Sequence, residues 1–261
     1  MENIIFYFSG TGNSYSIAKG LEKEIGDTIV VPLLRAKDYK VEEYGIVGFV
    51  FPVYYTHVPE IVIRAIEGIR FRKDQLVFAL ATYGGSWGYA LKDIREALSD
   101  KEIILQEYKI KTPGNYILEY SAFPRSYQEG ILKKAERKIS KIASSILESK
   151  RTGYIKANLL ARMFHKRSDK QRSKFSELGS EFFASDKCLN CYQCVKLCPT
   201  DNITLSEGIL VWGSKCAQCM ACIQWCPQKA VSHPLVKKSR KNYTNPKVII
   251  SQRGDLVLKE N

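Results

Sequence analysis

Ile4-Ile5-Phe6-Tyr7-Phe8 runs without a break into Ser9-Gly10-Thr11-Gly12-Asn13-Ser14, and Ile17, Ala18, Leu21 and Ile25 follow at helical spacing. The apolar run reads as a buried parallel strand, because a strand covered on both faces needs no polar alternation. The glycine-rich stretch therefore carries the chain from a strand into a helix N-terminus. Backbone N–H groups point outward there and the helix dipole favours negative charge, so the turn is an anion site by construction. It is not G-x-G-x-x-G, and it lacks the lysine of a nucleotide-triphosphate loop. It offers hydroxyls from Ser9, Thr11 and Ser14 and the Asn13 amide, which suit a terminal phosphate monoester. The plain alternative is a glycine turn whose polar residues only cap the helix.

Working outward, residues 28–33, 45–51, 75–81 and 102–111 read as further strands. The third runs into Pro52-Val53-Tyr54-Tyr55-Thr56-His57. Pro59 and Glu60 then open a helix with Val62, Ala65, Ile66 and Ile69 on its apolar face. The fourth runs into Thr82-Tyr83-Gly84-Gly85-Ser86, before a helix expected to bury Trp87, Ala90, Leu91, Ile94 and Leu98. Ile131, Ala135, Ile139, Ile142, Ala143 and Ile146 mark a long helix over residues 127–148. The alternation predicts an α/β fold with a doubly wound, five-stranded parallel sheet. Ligands bind such sheets beyond the carboxyl ends of the strands, where the three unusual loops lie. A phosphate at one loop and a flat ring between the other two describe flavin mononucleotide, FMN. The aromatic residues 116–123 either cover that ring or extend the sheet edge.

Residues 1–150 resemble flavodoxin, whose Ser/Thr-Gly-Thr-Gly-Asn phosphate loop is matched by Ser9-Gly10-Thr11-Gly12-Asn13. The resemblance implies an FMN phosphate held by Ser9, Gly10, Thr11, Gly12, Asn13 and Ser14. It puts Pro52, Val53, Tyr54 and Tyr55 on one side of the isoalloxazine and Thr82, Tyr83, Gly84 and Gly85 on the other. Tyr54 is the favoured stacking partner. Flavodoxins are usually acidic around the flavin, whereas this chain has a formal net charge of +13.

The other decisive stretch holds all eight cysteines: Cys188, Cys191, Cys194, Cys198 before Pro199, and Cys216, Cys219, Cys222, Cys226 before Pro227. These are two copies of C-x2-C-x2-C-x3-C-P, 28 positions apart. Disulfides do not suit cysteines crowded into 39 positions of a chain without a signal-peptide pattern, which is expected to be cytoplasmic. Zinc sites use cysteine pairs across a longer loop. The spacing is that of bacterial two-cluster ferredoxins, in which the fourth cysteine of each run ligates the other cluster. That resemblance implies one 4Fe–4S cluster on Cys188, Cys191, Cys194 and Cys226, and a second on Cys198, Cys216, Cys219 and Cys222. Ile203 and Val231 occupy equivalent places after the two prolines and are expected to pack against the clusters. Nearly the whole chain resembles the flavodoxin–ferredoxin fusion proteins of anaerobic bacteria and archaea. The domains would be 1–150, flavodoxin-like; 151–182, a basic helical linker; 183–236, a small α+β ferredoxin-like domain; and 237–261, a tail.

Residues 150–182 hold nine cations, Lys150, Arg151, Lys156, Arg162, Lys166, Arg167, Lys170, Arg172 and Lys174, against Asp169, Glu177 and Glu181. Ile155, Leu159, Leu160, Met163 and Phe164 fall on one helical face. The favoured reading is a helix that packs this face on the protein's own domains. An acidic redox protein is the next choice, ahead of an anionic membrane surface or nucleic acid, for which no motif accompanies the charge. His57, His165 and His233 have no carboxylate or cysteine at triad or metal spacing. The function this predicts is an electron-transfer iron–sulfur flavoprotein passing electrons between two 4Fe–4S clusters and FMN, with a redox protein as donor or acceptor. The alternatives are a ferredoxin-fed, FMN-dependent reductase of a small organic substrate, and a redox-responsive binding module using the basic linker.

Overall fold

The computed structural model describes residues 1–149, 152–251 and 255–259, without the side chains of Leu160, Phe164 and His165. Lys150 and Arg151 of the basic stretch therefore lie outside the described residues, as do the last two residues of the tail. Contacts divide the chain into two units. One comprises Met1–Ser9, Asn13–Pro113 and Pro124–Ser168; the other comprises Gly10–Gly12, Gly114–Phe123 and Asp169–Asn261.

The chain begins with β1 (Asn3–Tyr7), α1 (Asn13–Ile25), β2 (Thr28–Pro32), β3 (Ile46–Pro52), α2 (Glu60–Glu67), β4 (Gln75–Tyr83), α3 (Ala90–Ala97), β5 (Ile103–Lys111), α4 (Arg125–Leu147) and α5 (Leu159–Arg172). The strands form one sheet in the order β2-β1-β3-β4-β5, every neighbour parallel. That is the flavodoxin-like doubly wound order, with its switch point between β1 and β3. The middle strands are buried along almost their whole length, as continuous apolar runs require. Phe6 stacks on Phe49 at 5.9 Å between ring centroids, and Phe71 meets Phe49 edge-on at 6.2 Å. Each large apolar side chain enclosed in this way stabilises the fold by about 1.5–3 kcal/mol.

Close packing explains particular residues. A Cβ at Gly48 would lie 2.2 Å from the Phe78 ring, and one at Gly20 would lie 2.6 Å from Ile139 Cδ1, where α1 meets α4. Glu107 is buried on β5, where it accepts from Arg95 Nε at 3.0 Å and from the Ile155 N–H at 2.7 Å. Burial raises its pKa against the lowering effects of those two partners. The Ile155 bond ties the irregular segment after α4 to the sheet edge.

The second unit contains α6 (Phe175–Ser180), β6 (Phe183–Ala184), α7 (Gln193–Lys196), β7 (Ile203–Ser206), β8 (Ile209–Trp212), α8 (Ala221–Gln224), β9 (Val231–Ser232), β10 (Val248–Ile250) and β11 (Leu256–Leu258). Three antiparallel pairs form, β6 with β9, β7 with β8 and β10 with β11. Ile117, Leu118, Phe182, Ile203, Leu210, Trp212, Met220, Ile223 and Val231 make its core.

Several details differ from the sequence reading. Residues 116–123 add no strand to the sheet; Ile117 and Leu118 instead enter the core of the second unit, so the contact units cross the boundary at residue 150. The tail pairs with itself through β10 and β11. In α5, Leu159 and Met163 are 69% and 68% exposed, so these two members of the anticipated apolar face are not packed on the protein; Ile155 is half-buried, and Leu160 and Phe164 lie outside the described side chains. Ala161 and Ser168, two turns apart, are the buried side. Trp87 is half-buried ahead of α3 rather than in its core; its indole N–H donates to the Lys156 carbonyl at 3.0 Å, and Lys109 Nζ stands 3.2 Å above its ring. Gly48→Ala is expected to destabilise the first unit by about 1–3 kcal/mol through overpacking against Phe78. A lower urea midpoint at unchanged slope is the measurement that checks it.

Candidate functional site

The cysteine duplication extends into the backbone. α7 and α8 lie 28 positions apart, and each is preceded by a left-handed residue, Tyr192 at φ 55° and Met220 at φ 61°. Two further pairs at the same interval repeat the pattern: Asn190 at 51° with Gln218 at 52°, and Asp201 at 49° with Lys229 at 50°. The ladders follow suit, since Ile203 pairs with Trp212 and Val231 pairs with Ala184. Each repeat thus curls in the same way, bringing its first three cysteines to one side.

All eight cysteines are free thiols. They surround two cavities. Cys188, Cys191, Cys194 and Cys226 line one, of about 350 Å³ of non-atom space, together with Leu210 and Val231. Cys198, Cys216, Cys219 and Cys222 line the other, of about 340 Å³, with Ile203 and Trp212. The fourth cysteine of each run therefore faces the first three of the other run. Ile203 and Val231 each line a cavity. Among the described residues no three cysteine, histidine or carboxylate side chains converge closely enough to hold a single metal ion. The four-cysteine sets are spread around a larger void.

The cavities are hostile to charge. Burial pushes the thiols of Cys194 and Cys216 up to about 11 and that of Cys219 up to about 12, and raises Cys222 well above the ordinary range. Thiols so placed ionise readily only against a metal cation, so this donor set fits an iron–sulfur cluster. Backbone N–H groups are aimed at sulfur in both repeats: Asn202 donates to Cys198 Sγ and Ala230 to Cys226 Sγ, each at 3.2 Å.

In the first unit, the loops after β3 and β4 are joined at the carboxyl end of the sheet. The Val53 N–H donates to the Thr82 carbonyl at 2.9 Å, and Ser14 Oγ lies 2.9 Å from Thr82 Oγ1. Asn13 Nδ2 donates to the Pro113 carbonyl at 3.1 Å. Tyr54 and His57 bridge, with Tyr55 and Thr56 between them at φ 45° and 67°. Gly88 faces this turn so closely that a Cβ there would lie 2.0 Å from the Thr56 carbonyl oxygen. Tyr83 packs edge-on against Trp87 at 5.5 Å, while Gly85 is open, with nothing within 4 Å of a built Cβ.

Gly10, Thr11 and Gly12 make their contacts mainly within the second unit. The Gly10 carbonyl accepts the Trp225 indole N–H at 2.9 Å, and the Thr11 carbonyl accepts the Asn245 N–H at 2.8 Å. Asn115 Nδ2 donates to Thr11 Oγ1, which leaves the Thr11 hydroxyl its own proton to donate. Gly12 has φ 89°, and a Cβ there would lie 3.0 Å from that of Val248. Trp225, Asn115, Asn245 and Val248 carry no sequence signal for this role, because it depends on how distant segments pack.

Residues 183–204 match the family described as "4Fe-4S binding domain". The chain joins a flavodoxin-like fold to a 4Fe–4S binding domain. No curated protein matches the sequence. Among solved structures, a flavodoxin from the domain Archaea is 17% identical, covering 56% of this chain and 99% of that one at a TM-score of 0.37. A flavodoxin variant from Pseudomonas aeruginosa is 13% identical, covering 56% and 99% at 0.42. Two-electron-reduced Megasphaera elsdenii flavodoxin is 14% identical, covering 55% and 98% at 0.37. The fold assignment rests on the strand order.

Two histidines have carboxylate neighbours that sequence spacing does not reveal. His57 Nδ1 lies 2.9 Å from Asp93 Oδ2, which also accepts the Val58 N–H at 3.0 Å. His57 stacks on Tyr89 at 5.4 Å. Asp93 is on α3, 36 positions away, so no spacing rule could connect them. His233 is a satisfied core histidine in the second unit. Its Nδ1 accepts from the Leu235 N–H, its Nε2 faces the Leu178 carbonyl at 3.0 Å, and burial lowers its pKa. Glu181 stands 3.6 Å off. Asp93→Ala removes two hydrogen bonds to a carboxylate and is expected to cost about 2–3 kcal/mol of stability, read by urea unfolding.

Proposed function

We propose that this protein is an electron-transfer iron–sulfur flavoprotein that passes electrons between two 4Fe–4S clusters and FMN. The observation that carries the reading is the convergence of the eight cysteines on two separate apolar cavities, four to each. Cys188, Cys191, Cys194 and Cys226 would hold one cluster, and Cys198, Cys216, Cys219 and Cys222 the other. When bound, the clusters supply one-electron chemistry and the flavin accepts one or two electrons. The chain's own residues bind, orient and exclude water. The Asn202 and Ala230 N–H groups stabilise negative charge on cysteine sulfur, and the Ile203 and Val231 side chains keep the cavities dry.

The flavin assignment is supported by the loop between β1 and α1. It combines the N-terminus of a 13-residue helix, the hydroxyls of Ser9, Thr11 and Ser14, and a left-handed glycine, without a cation. That set fits a phosphate monoester. Pro52, Val53, Tyr54 and Tyr55 with Thr82, Tyr83, Gly84 and Gly85 would border the ring. The partner that fits the charge is an acidic redox protein in anaerobic metabolism, docking through exposed cations such as Arg162, Lys166 and Arg167 on α5.

A second reading, an FMN-dependent reductase, is favoured by the His57–Asp93 pair two residues beyond Tyr55. Asp93 fixes one face of the imidazole and could hold its proton at Nδ1. An anaerobic reductive titration of the reconstituted protein separates the two. One-electron steps at flavin and cluster absorption support the carrier; a two-electron flavin step reversed by an added small organic oxidant supports the reductase.

Anaerobic reconstitution is expected to load iron and acid-labile sulfide for two clusters per chain, with Cys222→Ser losing or degrading one and keeping FMN. Full retention of iron and sulfide by Cys222→Ser would contradict the ligand set. Thr11→Ala is expected to weaken FMN binding by about 1–3 kcal/mol, measured by flavin fluorescence titration. Unchanged affinity would mean that Thr11 does not meet the phosphate.

A further inference from the structure

The two cysteine repeats can be compared position by position, 28 residues apart. One pair of backbone donors matches, Asn202 to Cys198 Sγ and Ala230 to Cys226 Sγ at the same 3.2 Å. Those bonds cannot make one site differ from the other. The side chains do differ. Gln218 stands where the first repeat has Asn190, and Trp212 stands where it has Ala184.

Gln218 is buried, and its amide is pinned at both ends. Its Oε1 accepts from Tyr116 OH at 3.3 Å, and its Nε2 donates to the Phe175 carbonyl at 3.2 Å. With its orientation set, Nε2 also stands 3.7 Å from Cys216 Sγ, and the Gln218 backbone N–H stands 3.4 Å from the same sulfur. Asn190 is exposed, and it is its carbonyl oxygen that lies nearest sulfur, 3.6 Å from Cys188.

Trp212 lines the cavity of Cys198, Cys216, Cys219 and Cys222. Its indole N–H is buried and has no partner within hydrogen-bond distance. A donor left dry in this way gives up its hydration with nothing in return. Cys198, Cys216, Cys219 and Cys222 line the same cavity. The acceptor this donor lacks is negative charge on sulfur, and Ala184 offers nothing comparable in the other repeat.

We propose that Trp212 and Gln218 make the site of Cys198, Cys216, Cys219 and Cys222 the more readily reduced of the two, by aiming side-chain N–H groups at its sulfur. The inference rests on the two-cluster reading above. Reduction there takes one electron from an outside one-electron reductant, adds one negative charge and breaks no bond. Hydrogen bonds to the sulfurs favour the more negative form, so they raise the potential of the site that has them. Trp212 and Gln218 are positioning residues, acting through the cysteines.

The test is a dithionite titration of the reconstituted, full-length holoprotein, followed by potentiometry and EPR, with iron and sulfide counted on the same samples. The unaltered protein should show two separate cluster waves. Trp212→Phe keeps the aromatic ring and removes the N–H. It should lower the reduction equilibrium of the upper wave about tenfold, ~59 mV for one electron, and leave the lower wave in place. Coincident waves in the unaltered protein would overturn the proposal, as would a Trp212→Phe protein with full iron whose upper wave does not move. Should Trp212→Phe fail to hold iron, unaltered protein carrying indole-¹⁵N tryptophan decides the question. At partial reduction, pulsed EPR should detect a ¹⁵N coupling in the cluster reduced first, and its absence there would overturn the proposal. Iron and sulfide for only one cluster in the unaltered protein would remove the two-cluster reading itself and this inference with it.

Discussion

Thiols turned inward around an apolar void are the constraint on which the second unit depends. A cysteine pushed up to about 12 by burial has no reason to ionise unless a metal cation meets it. Bringing four cysteines together around one void requires a backbone that curls tightly. The short helices α7 and α8, the paired β6–β9 and β7–β8 ribbons and the small core around Phe182 and Ile223 all serve that geometry. The core has few large side chains of its own. Ile117 and Leu118, from a segment between β5 and α4, contribute to it.

The first unit obeys a different constraint, that of a parallel sheet covered on both faces. Continuous apolar strands bury themselves against helices, and close approaches such as Gly48 on Phe78 let β3 and β4 pack without a void. Such a sheet leaves its polar backbone ends at the carboxyl edge. The chain uses that edge for glycine turns, hydroxyls and aromatic rings. Left-handed Tyr55 and Thr56, held by the Gly88 contact, fix the turn beside Tyr54, and Asp93 locks His57 behind it.

What the sequence made legible was whatever is local or periodic. The strands, the four helices of the α/β layer and the strand-to-helix loop at Ser9 follow from apolar runs and glycine placement. The crossing of each fourth cysteine to the other set came from the resemblance of the two runs to two-cluster ferredoxins. What stayed hidden depends on long-range packing. Asp93 reaches His57 across two elements, and Asn115 reaches Thr11 from 104 positions away. Leu159 and Met163 of the α5 face were misread because helical periodicity locates an apolar stripe but does not say what covers it. Leu159 and Met163 face out, while small Ala161 and Ser168 take the buried side. Trp87 was misplaced for a related reason: its indole N–H needs a partner, and the Lys156 carbonyl supplies one near the surface.

The repeated left-handed residues carry the argument one step further. Asn190 and Asp201 tolerate positive φ, but Tyr192, Gln218, Met220 and Lys229 do so at a cost of about 1–2 kcal/mol each. Glycine would relieve all four, yet none is glycine. Some of these side chains are needed where they stand: Met220 is buried in the core and Gln218 is fixed among Tyr116, Phe175 and Cys216. Four strained positions in so short a stretch call for something that holds the curl closed. Four cysteine bonds to each cluster would do so, since metal binding at sites absent from the unfolded chain adds directly to folding free energy. On that proposal the symmetry of the backbone belongs to ligation. The side chains around it, freed from that duty, are where the two halves can differ.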